Sequence, residues 1–166
     1  MKNKYLWISS IAGSVLVLDQ LTKYLVMRNI PRFTFVRVIP GFFDLTNVRN
    51  PGAAFGILAG AGAGWRTAFF IAVSLAALAV IATLVHRSAD RLSLIAFALI
   101  GGGAVGNLVD RVRFGEVVDF IDWYVRGWHW PTFNIADSAI TIGVVLLAAD
   151  MLFLRKGEEG QTKDEV

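Results

Sequence analysis

Four long apolar blocks dominate the sequence and are separated by shorter polar or mixed segments. The blocks run approximately from Leu6 to Val26, Thr67 to Val85, Leu92 to Val109 and Phe133 to Leu154. An α-helix needs about 20 residues to cross the ~30 Å hydrocarbon core of a bilayer, and each block is close to that length. The apolar residues do not recur at the helical or strand period of an amphipathic soluble fold. The pattern therefore predicts an all-α membrane protein with four transmembrane helices, in which residues 1–166 form a single integral membrane domain.

The connection between the first two blocks, approximately residues 28–64, predicts a small β-hairpin. Phe33 to Ile39 is rich in aromatic and β-branched residues, and a Pro-Gly turn separates it from the strand-like run Phe42 to Val48. The Gly- and Ala-rich stretch that follows predicts a short surface helix around Ala53 to Leu58. We also expect residues 53–64 to act as a mobile gate, because Ala and Gly offer few side chains to hold the segment in place.

The remaining polar segments are short or rich in aromatic residues. Only His86 to Arg91 join the second and third blocks, which predicts a tight antiparallel helix pair. The segment from Arg111 to Pro131 contains Trp and Tyr, the residue types enriched at membrane interfaces. The tail, residues 155–166, is charged, and we expect it to be disordered.

The composition supports lipid as the main solvent. Charged residues make up 17% of the chain and hydrophobic residues 55%, whereas a soluble domain carries about 25% charged residues. The mean hydropathy is +0.58. There is no Cys, so disulfides, thiolate metal sites and a cysteine nucleophile are excluded. The net charge of +3 comes with loop Arg residues that flank the apolar blocks, an arrangement that favours anionic lipid headgroups over nucleic acid.

Most of the polar residues within or beside the apolar blocks are predicted to meet at one membrane face. Alternating helix direction places the end of the first and third blocks and the start of the second and fourth on the same side. The residues there are Asp19, Thr22, Lys23, Asn107, Asp110, Arg111, Asp119, Asn134 and Asp137. A charged side chain at the bilayer centre costs about 2.5–3.5 kcal/mol, so these residues are functional candidates that face the bundle interior. The Lys and Arg counts on the two sides leave the absolute orientation open.

Several of the acidic residues have basic neighbours that favour a structural role. Asp19 and Lys23 are four positions apart, and Asp110 precedes Arg111. We interpret both pairs as ion pairs or interfacial charges that support helix packing. Asp150 lies near the opposite end of the fourth block, beside the basic tail, and we expect it to snorkel toward the headgroups.

Two carboxylates lack such partners and are the strongest candidates for chemistry. Asp119 and Asp137 have no basic residue three or four positions away. Ser138 has no G-x-S-x-G motif or histidine base, which argues against a serine hydrolase. His86 and His129 are isolated loop histidines without the spacing of metal ligands.

A close carboxylate pair is typical of aspartic proteases, because two neighbouring carboxyl groups share one proton. The ionised group would take a proton from the attacking water, and the protonated group would hydrogen-bond the carbonyl oxygen and later protonate the leaving amine. The sequence does not assign these roles to one Asp or the other. A small proton-coupled transporter or channel component is an alternative, because membrane carboxylates also form proton relays. A purely structural helical scaffold is a further one.

Five motifs in order along the chain resemble those of the bacterial lipoprotein signal peptidases, also called signal peptidase II. Asp19 to Lys23 matches the D-x-x-T-K motif of that family, and Asn50 to Phe55 matches N-x-G-x-x-F. The other three motifs are Gly102 to Arg111, Val118 to Phe120 and Phe133 to Ser138. The resemblance implies four transmembrane helices, an extracytoplasmic β-cradle, both termini in the cytoplasm and a place in the bacterial inner membrane.

The same resemblance implies an activity and a set of site residues. Asp119 and Asp137 correspond to the catalytic pair. The residues expected to bind substrate or support the site are Asp19, Lys23, Asn50, Gly52, Asn107, Asp110, Arg111 and Asn134. The implied substrate is a prolipoprotein whose cysteine already carries diacylglycerol, cut just before that cysteine. No metal or organic cofactor and no nucleic acid is implied; membrane lipids are the other partner, and a monomer is expected.

Overall fold

The computed structural model describes residues 4–52 and 62–154 and contains four long helices. They are α1 (Lys4–Asn29), α2 (Ala63–Arg87), α3 (Arg91–Phe114) and α4 (Ile135–Ala149), and a π-helical turn, Asp150–Leu154, continues α4. α1, α2 and α3 are long and apolar enough to cross a membrane, and so is α4 together with the first residues of the π-helical turn, Ile135–Leu152. The predicted surface helix and charged tail lie outside the described residues, as does most of the predicted gate.

The fourth helix begins later than predicted. The apolar run suggested a start at Phe133, whereas Asn134 has extended backbone and caps the helix, which begins at Ile135. Asn is a preferred N-cap because its side-chain oxygen accepts a hydrogen bond from a free backbone N–H of the first turn. Hydropathy alone cannot locate this boundary, because Phe133 is as apolar as the helix that follows.

Helix α3 packs against the other three helices, and glycines on its surface allow close approach. A Cβ added at Gly102 would lie 2.7 Å from the carbonyl oxygen of Ala12 in α1. One added at Gly103 would overlap the carbonyl oxygen of Ala136 in α4. Small residues at helix interfaces permit such backbone contact in membranes. The polar residues of α1, α3 and α4 are thereby brought together.

A four-stranded antiparallel sheet covers one end of the helices, in the order β1-β2-β3-β4. The predicted hairpin corresponds to β1 (Phe35–Ile39) and β2 (Phe43–Asn50). The sequence analysis missed β3 (Val117–Val125), which pairs with β2, and the short β4 (Trp128–His129). The β-branched and aromatic residues of β3 are typical of a strand. Its first four residues are all buried, however, so the strand lacks the regular alternation of apolar and polar residues that identifies a surface strand.

The prediction that Asp150 snorkels to the headgroups is wrong. Asp150 is only 5% exposed, and its carboxylate accepts a hydrogen bond of 3.2 Å from the hydroxyl of Ser93 at the start of α3. The side chain is turned inward because the π-helical turn at the end of α4 packs beside the first turn of α3. Asp150 lies at the opposite membrane face from the cluster of polar residues described next.

Candidate active site

Asp119 lies on β3 with its side chain directed away from solvent. It is opposite Val48 of β2 in the sheet and is 1% exposed. Its two carboxylate oxygens accept hydrogen bonds from the Asn50 amide at 2.9 Å and from the Asn134 amide at 2.7 Å. The β3 strand that the sequence analysis missed therefore carries one of the two candidate catalytic carboxylates.

Asp137 lies in the first turn of α4 and belongs to a capping box with Asn134. The Asn134 side-chain oxygen accepts from the Asp137 backbone N–H at 2.9 Å, and the Asp137 carboxylate accepts from the Asn134 backbone N–H at 3.3 Å. The other carboxylate oxygen of Asp137 accepts from the Asn107 amide at 2.8 Å. The start of a helix favours an anionic group, because the free N–H groups there carry partial positive charge.

Asn134 joins the two carboxylates. Its side-chain oxygen and its backbone N–H bind Asp137, while its side-chain NH₂ donates to Asp119. Among the preferred N-cap residues, only Asn has an amide that can cap the helix with its oxygen and donate with its nitrogen. Asn134 is completely buried, so this geometry is rigidly set.

Lys23 is a buried cation at the centre of the network. It is 1% exposed, and its ammonium lies 2.8 Å from Asp19 and 2.9 Å from Asp110. Its third interaction is a 3.1 Å hydrogen bond to the side-chain oxygen of Asn107. An ammonium has three donors and no acceptor, so it must face the oxygen of Asn107 and leave the NH₂ group to donate to Asp137. The charge of Lys23 thereby determines which way the Asn107 amide points.

The two anions beside Lys23 hold backbone segments of the site. Asp19 accepts a 2.9 Å hydrogen bond from the backbone N–H of Ala136, one of the free donors at the start of α4. Asp110 accepts a 3.0 Å hydrogen bond from the backbone N–H of Val118, next to Asp119. The Asp19–Lys23 pair agrees with the interpretation from spacing. Asp110, in contrast, pairs with Lys23 and not with the adjacent Arg111.

Gln20 is a further member of the network and was not among the predicted site residues. Its amide donates to Asp110 at 3.0 Å, to Asp19 at 3.2 Å and to the Gly106 carbonyl at 3.2 Å. Gln20 directly follows Asp19 in α1, and adjacent residues of a helix do not lie on the same face. Its position in the sequence therefore gave no reason to place it in the site. Its contacts become visible only when α1 and α3 are packed together.

Arg111 and Gly52 lie on the side of the site formed by α2 and α3. The Arg111 guanidinium carbon is 5.2 Å from the ring centroid of Phe70, and its charge interacts with Asp137 and, next in strength, Asp119. Gly52 has φ of +84° and donates its backbone N–H to the Asn50 side-chain oxygen at 2.9 Å. All ten residues predicted for the site thus belong to one connected region.

Burial changes the proton affinity of Asp119. Removal from water raises the pKa of Asp119 to about 6, against the hydrogen bond from Asn50, which favours the ionised form. The negative charge of Asp137 contributes to this increase, whereas the hydrogen bond from Asn134 and the positive charge of Lys23 limit it. A carboxyl group with this pKa can exchange a proton near neutral pH, as a general acid or base requires.

A partly open groove of about 390 Å³ begins at Asp137 and is bordered mainly by apolar atoms. Its other lining residues are Trp123, Trp130, Phe133, Ser138, Thr141 and Ile142. Trp123 and Phe133 make an edge-to-face contact with ring centroids 5.1 Å apart. Thr141 and Ile142 are exposed on the outer surface of α4, so the groove leads from the lipid-facing side of the helix to a candidate catalytic carboxylate.

The sequence matches known signal peptidases over most of its length. The family model described as Signal peptidase (SPase) II matches residues 11–153. A protein of Syntrophus aciditrophicus named lipoprotein signal peptidase is 50% identical over 147 residues, covering 87% of this chain and 91% of the relative. One of Geobacter metallireducens with the same name is 48% identical over 166 residues, covering 99% of each chain.

A solved structure described as a bacterial membrane enzyme, determined by the in meso method at 1.9 Å resolution, has the same fold. It superposes with a TM-score of 0.79 at 37% identity, covering 92% of this chain and 94% of the other. The family match gives no support to a proton-coupled transporter or channel component. On the sequence match over most of its length and on this shared architecture, the chain belongs to the signal peptidase II family.

Proposed function

We propose that the protein is an aspartic endopeptidase that removes the signal peptide from diacylglyceryl-modified prolipoproteins, cutting just before the lipidated cysteine. The observation that carries this proposal is the linkage of Asp119 and Asp137 through Asn134, beside a groove that leads to the lipid-facing surface of α4. Membership of the signal peptidase II family supports the substrate class. All the groups involved come from one chain, so we propose that a monomer is active.

We assign the shared proton to Asp119 and the negative charge to Asp137. Asp119 is 1% exposed and has a pKa of about 6, whereas Asp137 is only partly buried and lies in the first turn of α4, where the helix favours an anion. Asp137 takes a proton from water as the water oxygen bonds to the scissile carbonyl carbon. Asp119 hydrogen-bonds the carbonyl oxygen and then protonates the leaving nitrogen as the C–N bond breaks. Asp137 retains the proton from water, so the pair again holds one proton.

We propose that the site faces the extracytoplasmic side of the bacterial inner membrane and that both termini are cytoplasmic. Trp128 on β4 and Trp130 just after it are 64% and 55% exposed, as expected for aromatic residues at a membrane interface. The scissile bond of a lipid-anchored substrate lies at this same depth, where water is available. The lipid-facing groove gives the acyl chains and signal segment a route that keeps them in the hydrocarbon.

Cleavage by the purified protein in lipid nanodiscs tests the function. We expect the wild type to cut a diacylglyceryl-modified prolipoprotein and to leave the same precursor uncut when its cysteine is unmodified. The acyl chains hold the modified substrate at the depth of the site, which supplies the proximity that catalysis needs. Mass spectrometry of the products should locate the new N-terminus at the lipidated cysteine. Failure to cut fully modified substrate, or a cut elsewhere, would refute the proposal.

The alkaline side of the pH–rate profile should depend on Asn50. The singly protonated pair is lost as the pH rises through the pKa of Asp119, about 6, so kcat/KM of the wild type should fall above that pH. Asn50→Ala removes a donor that stabilises ionised Asp119. The pKa then rises, and we expect the alkaline limb to move up by about one pH unit.

The matched control for this measurement is Asn29→Ala, at an exposed position where the amide donates to the Leu25 carbonyl of its own helix. Its profile should coincide with that of the wild type. An alkaline limb that stays in place in Asn50→Ala, or moves to lower pH, would contradict the proposed protonation of Asp119.

A further inference from the structure

Phe70 is a half-buried residue of α2 that contacts two parts of the site and belongs to none of the recognised motifs. Its ring lies 5.2 Å, centroid to guanidinium carbon, from Arg111. The same ring also lies against Gly52, because a Cβ added at Gly52 would overlap three of its carbon atoms. Phe70 therefore touches one residue from α3 and one from the segment that follows β2.

The Phe70 ring fixes the position of the Arg111 guanidinium. Within residues 4–52 and 62–154, no hydrogen bond or ion pair holds this guanidinium, although its charge interacts with Asp137 and Asp119. A cation placed over an aromatic face is attracted by the negative potential of the ring, and the attraction strengthens away from water. The ring thus holds the positive charge near both carboxylates without neutralising it.

The contact between Phe70 and Gly52 affects Asp119 through the side chain of Asn50. The Gly52 backbone N–H binds the Asn50 side-chain oxygen at 2.9 Å, so the Asn50 NH₂ group must point the other way, toward Asp119, also at 2.9 Å. A side chain at Gly52 would both collide with the ring and require left-handed backbone, because φ is +84°. The flat face of Phe70 therefore supports the turn that orients the Asn50 amide.

We propose that Phe70 is a positioning residue of the peptidase, which acts on the reaction through Arg111 and through the Gly52–Asn50 turn. This inference rests on the proposed function. The aromatic ring is the required feature: it supplies a face for the cation and a flat surface for the glycine. An aliphatic side chain of similar volume fills much of the same space, but it offers no negative potential to the guanidinium.

The test compares ring-keeping and ring-removing variants in nanodiscs. We expect Phe70→Leu to lower kcat roughly tenfold with little change in KM, and Phe70→Tyr to stay within about twofold of the wild type. Phe35→Leu is the matched control, because the Phe35 ring also lies beside an arginine, 5.5 Å from the Arg37 guanidinium carbon, but is 57% exposed on β1. In an Arg111→Gln background, Phe70→Leu should cost less than in the wild type, because one of its two routes is already lost.

Several outcomes would overturn the proposal. They are Phe70→Leu at the wild-type rate, Phe35→Leu as impaired as Phe70→Leu, or full additivity with Arg111→Gln. A loss in Phe70→Tyr equal to that in Phe70→Leu would do the same. Thermal unfolding of each variant separates a positioning effect from lost folding: the rate should fall in Phe70→Leu without a matching fall in Tm.

A second measurement does not depend on activity. In the NMR spectrum of arginine Nε–H groups, the Arg111 signal should carry a ring-current shift in the wild type and Phe70→Tyr and lose it in Phe70→Leu. A shift that persists in Phe70→Leu would overturn the proposal even if no substrate is cut. If the wild type fails to cut but the shift behaves as expected, the proposed function fails and the contact with Arg111 stands.

Discussion

Asp119→Asn and Asp137→Asn should each lower kcat by about three orders of magnitude, because each removes a group that moves a proton in the reaction. Asparagine keeps the size of the side chain but cannot take or give that proton. At position 137 the amide would also face donors on both sides, the Asn107 NH₂ and the Asn134 backbone N–H. The measurement is single-turnover cleavage of the lipid-modified precursor at equal amounts of folded enzyme.

Asp122→Asn is the matched control for these substitutions. Asp122 lies on the same strand as Asp119 but binds the exposed His129 at 2.9 Å, away from the carboxylate pair. Asp122→Asn should change the rate little, because Asp122 contacts neither catalytic carboxylate. It should also change the stability little, because a surface contact of this kind contributes about 0–1 kcal/mol. Near-normal turnover by either Asp119→Asn or Asp137→Asn would remove that residue from the catalytic pair.

Lys23→Met should lower the free energy of unfolding by about 3–5 kcal/mol, because it leaves two buried anions without their cation. Both anions, Asp19 and Asp110, are at most 1% exposed, so water cannot replace the ammonium. The Asn107 amide also loses the interaction that fixes its direction, so the hydrogen bond to Asp137 is weakened and cleavage is lost. Detergent-induced unfolding, followed by tryptophan fluorescence, measures the stability.

Two further variants test whether the loss of stability in Lys23→Met comes from the buried anions that it leaves unpaired. Lys4→Met makes the same substitution near the N-terminus of α1, where the ammonium binds the carbonyls of His86 and Ser88 and lies 5.3 Å from the Tyr5 ring centroid, with no buried anion among the described residues to leave unpaired, and it should cost little. Adding Asp19→Asn and Asp110→Asn to Lys23→Met removes the uncompensated charges and should recover part of the stability. Equal stability of Lys23→Met and the wild type would show that the buried ion cluster does not hold the helices together.

The sequence identified the site more completely than it identified the fold around it. The resemblance to signal peptidase II points to Asp119 from its motif, whereas the sequence pattern predicted no strand at this position. Asp119 becomes buried because β3 pairs with β2 of the predicted hairpin, and this burial is the largest cause of the raised pKa of Asp119. The sequence analysis also passed over Gln20 and Phe70, since neither has a charge that would be costly in a membrane.

Residue type and order along the chain determined the four helices and the face at which the polar residues collect. Helix length against bilayer thickness is a local property, and alternating helix direction then places chain ends by simple topology. Only the tertiary structure decided which donor meets which acceptor. Asp19 binds the backbone of Ala136, 117 positions away, and Lys23 binds Asn107, 84 positions away. Such pairs depend on the distance and rotation between packed helices, here set by glycines in contact with backbone, and no spacing within one helix encodes them.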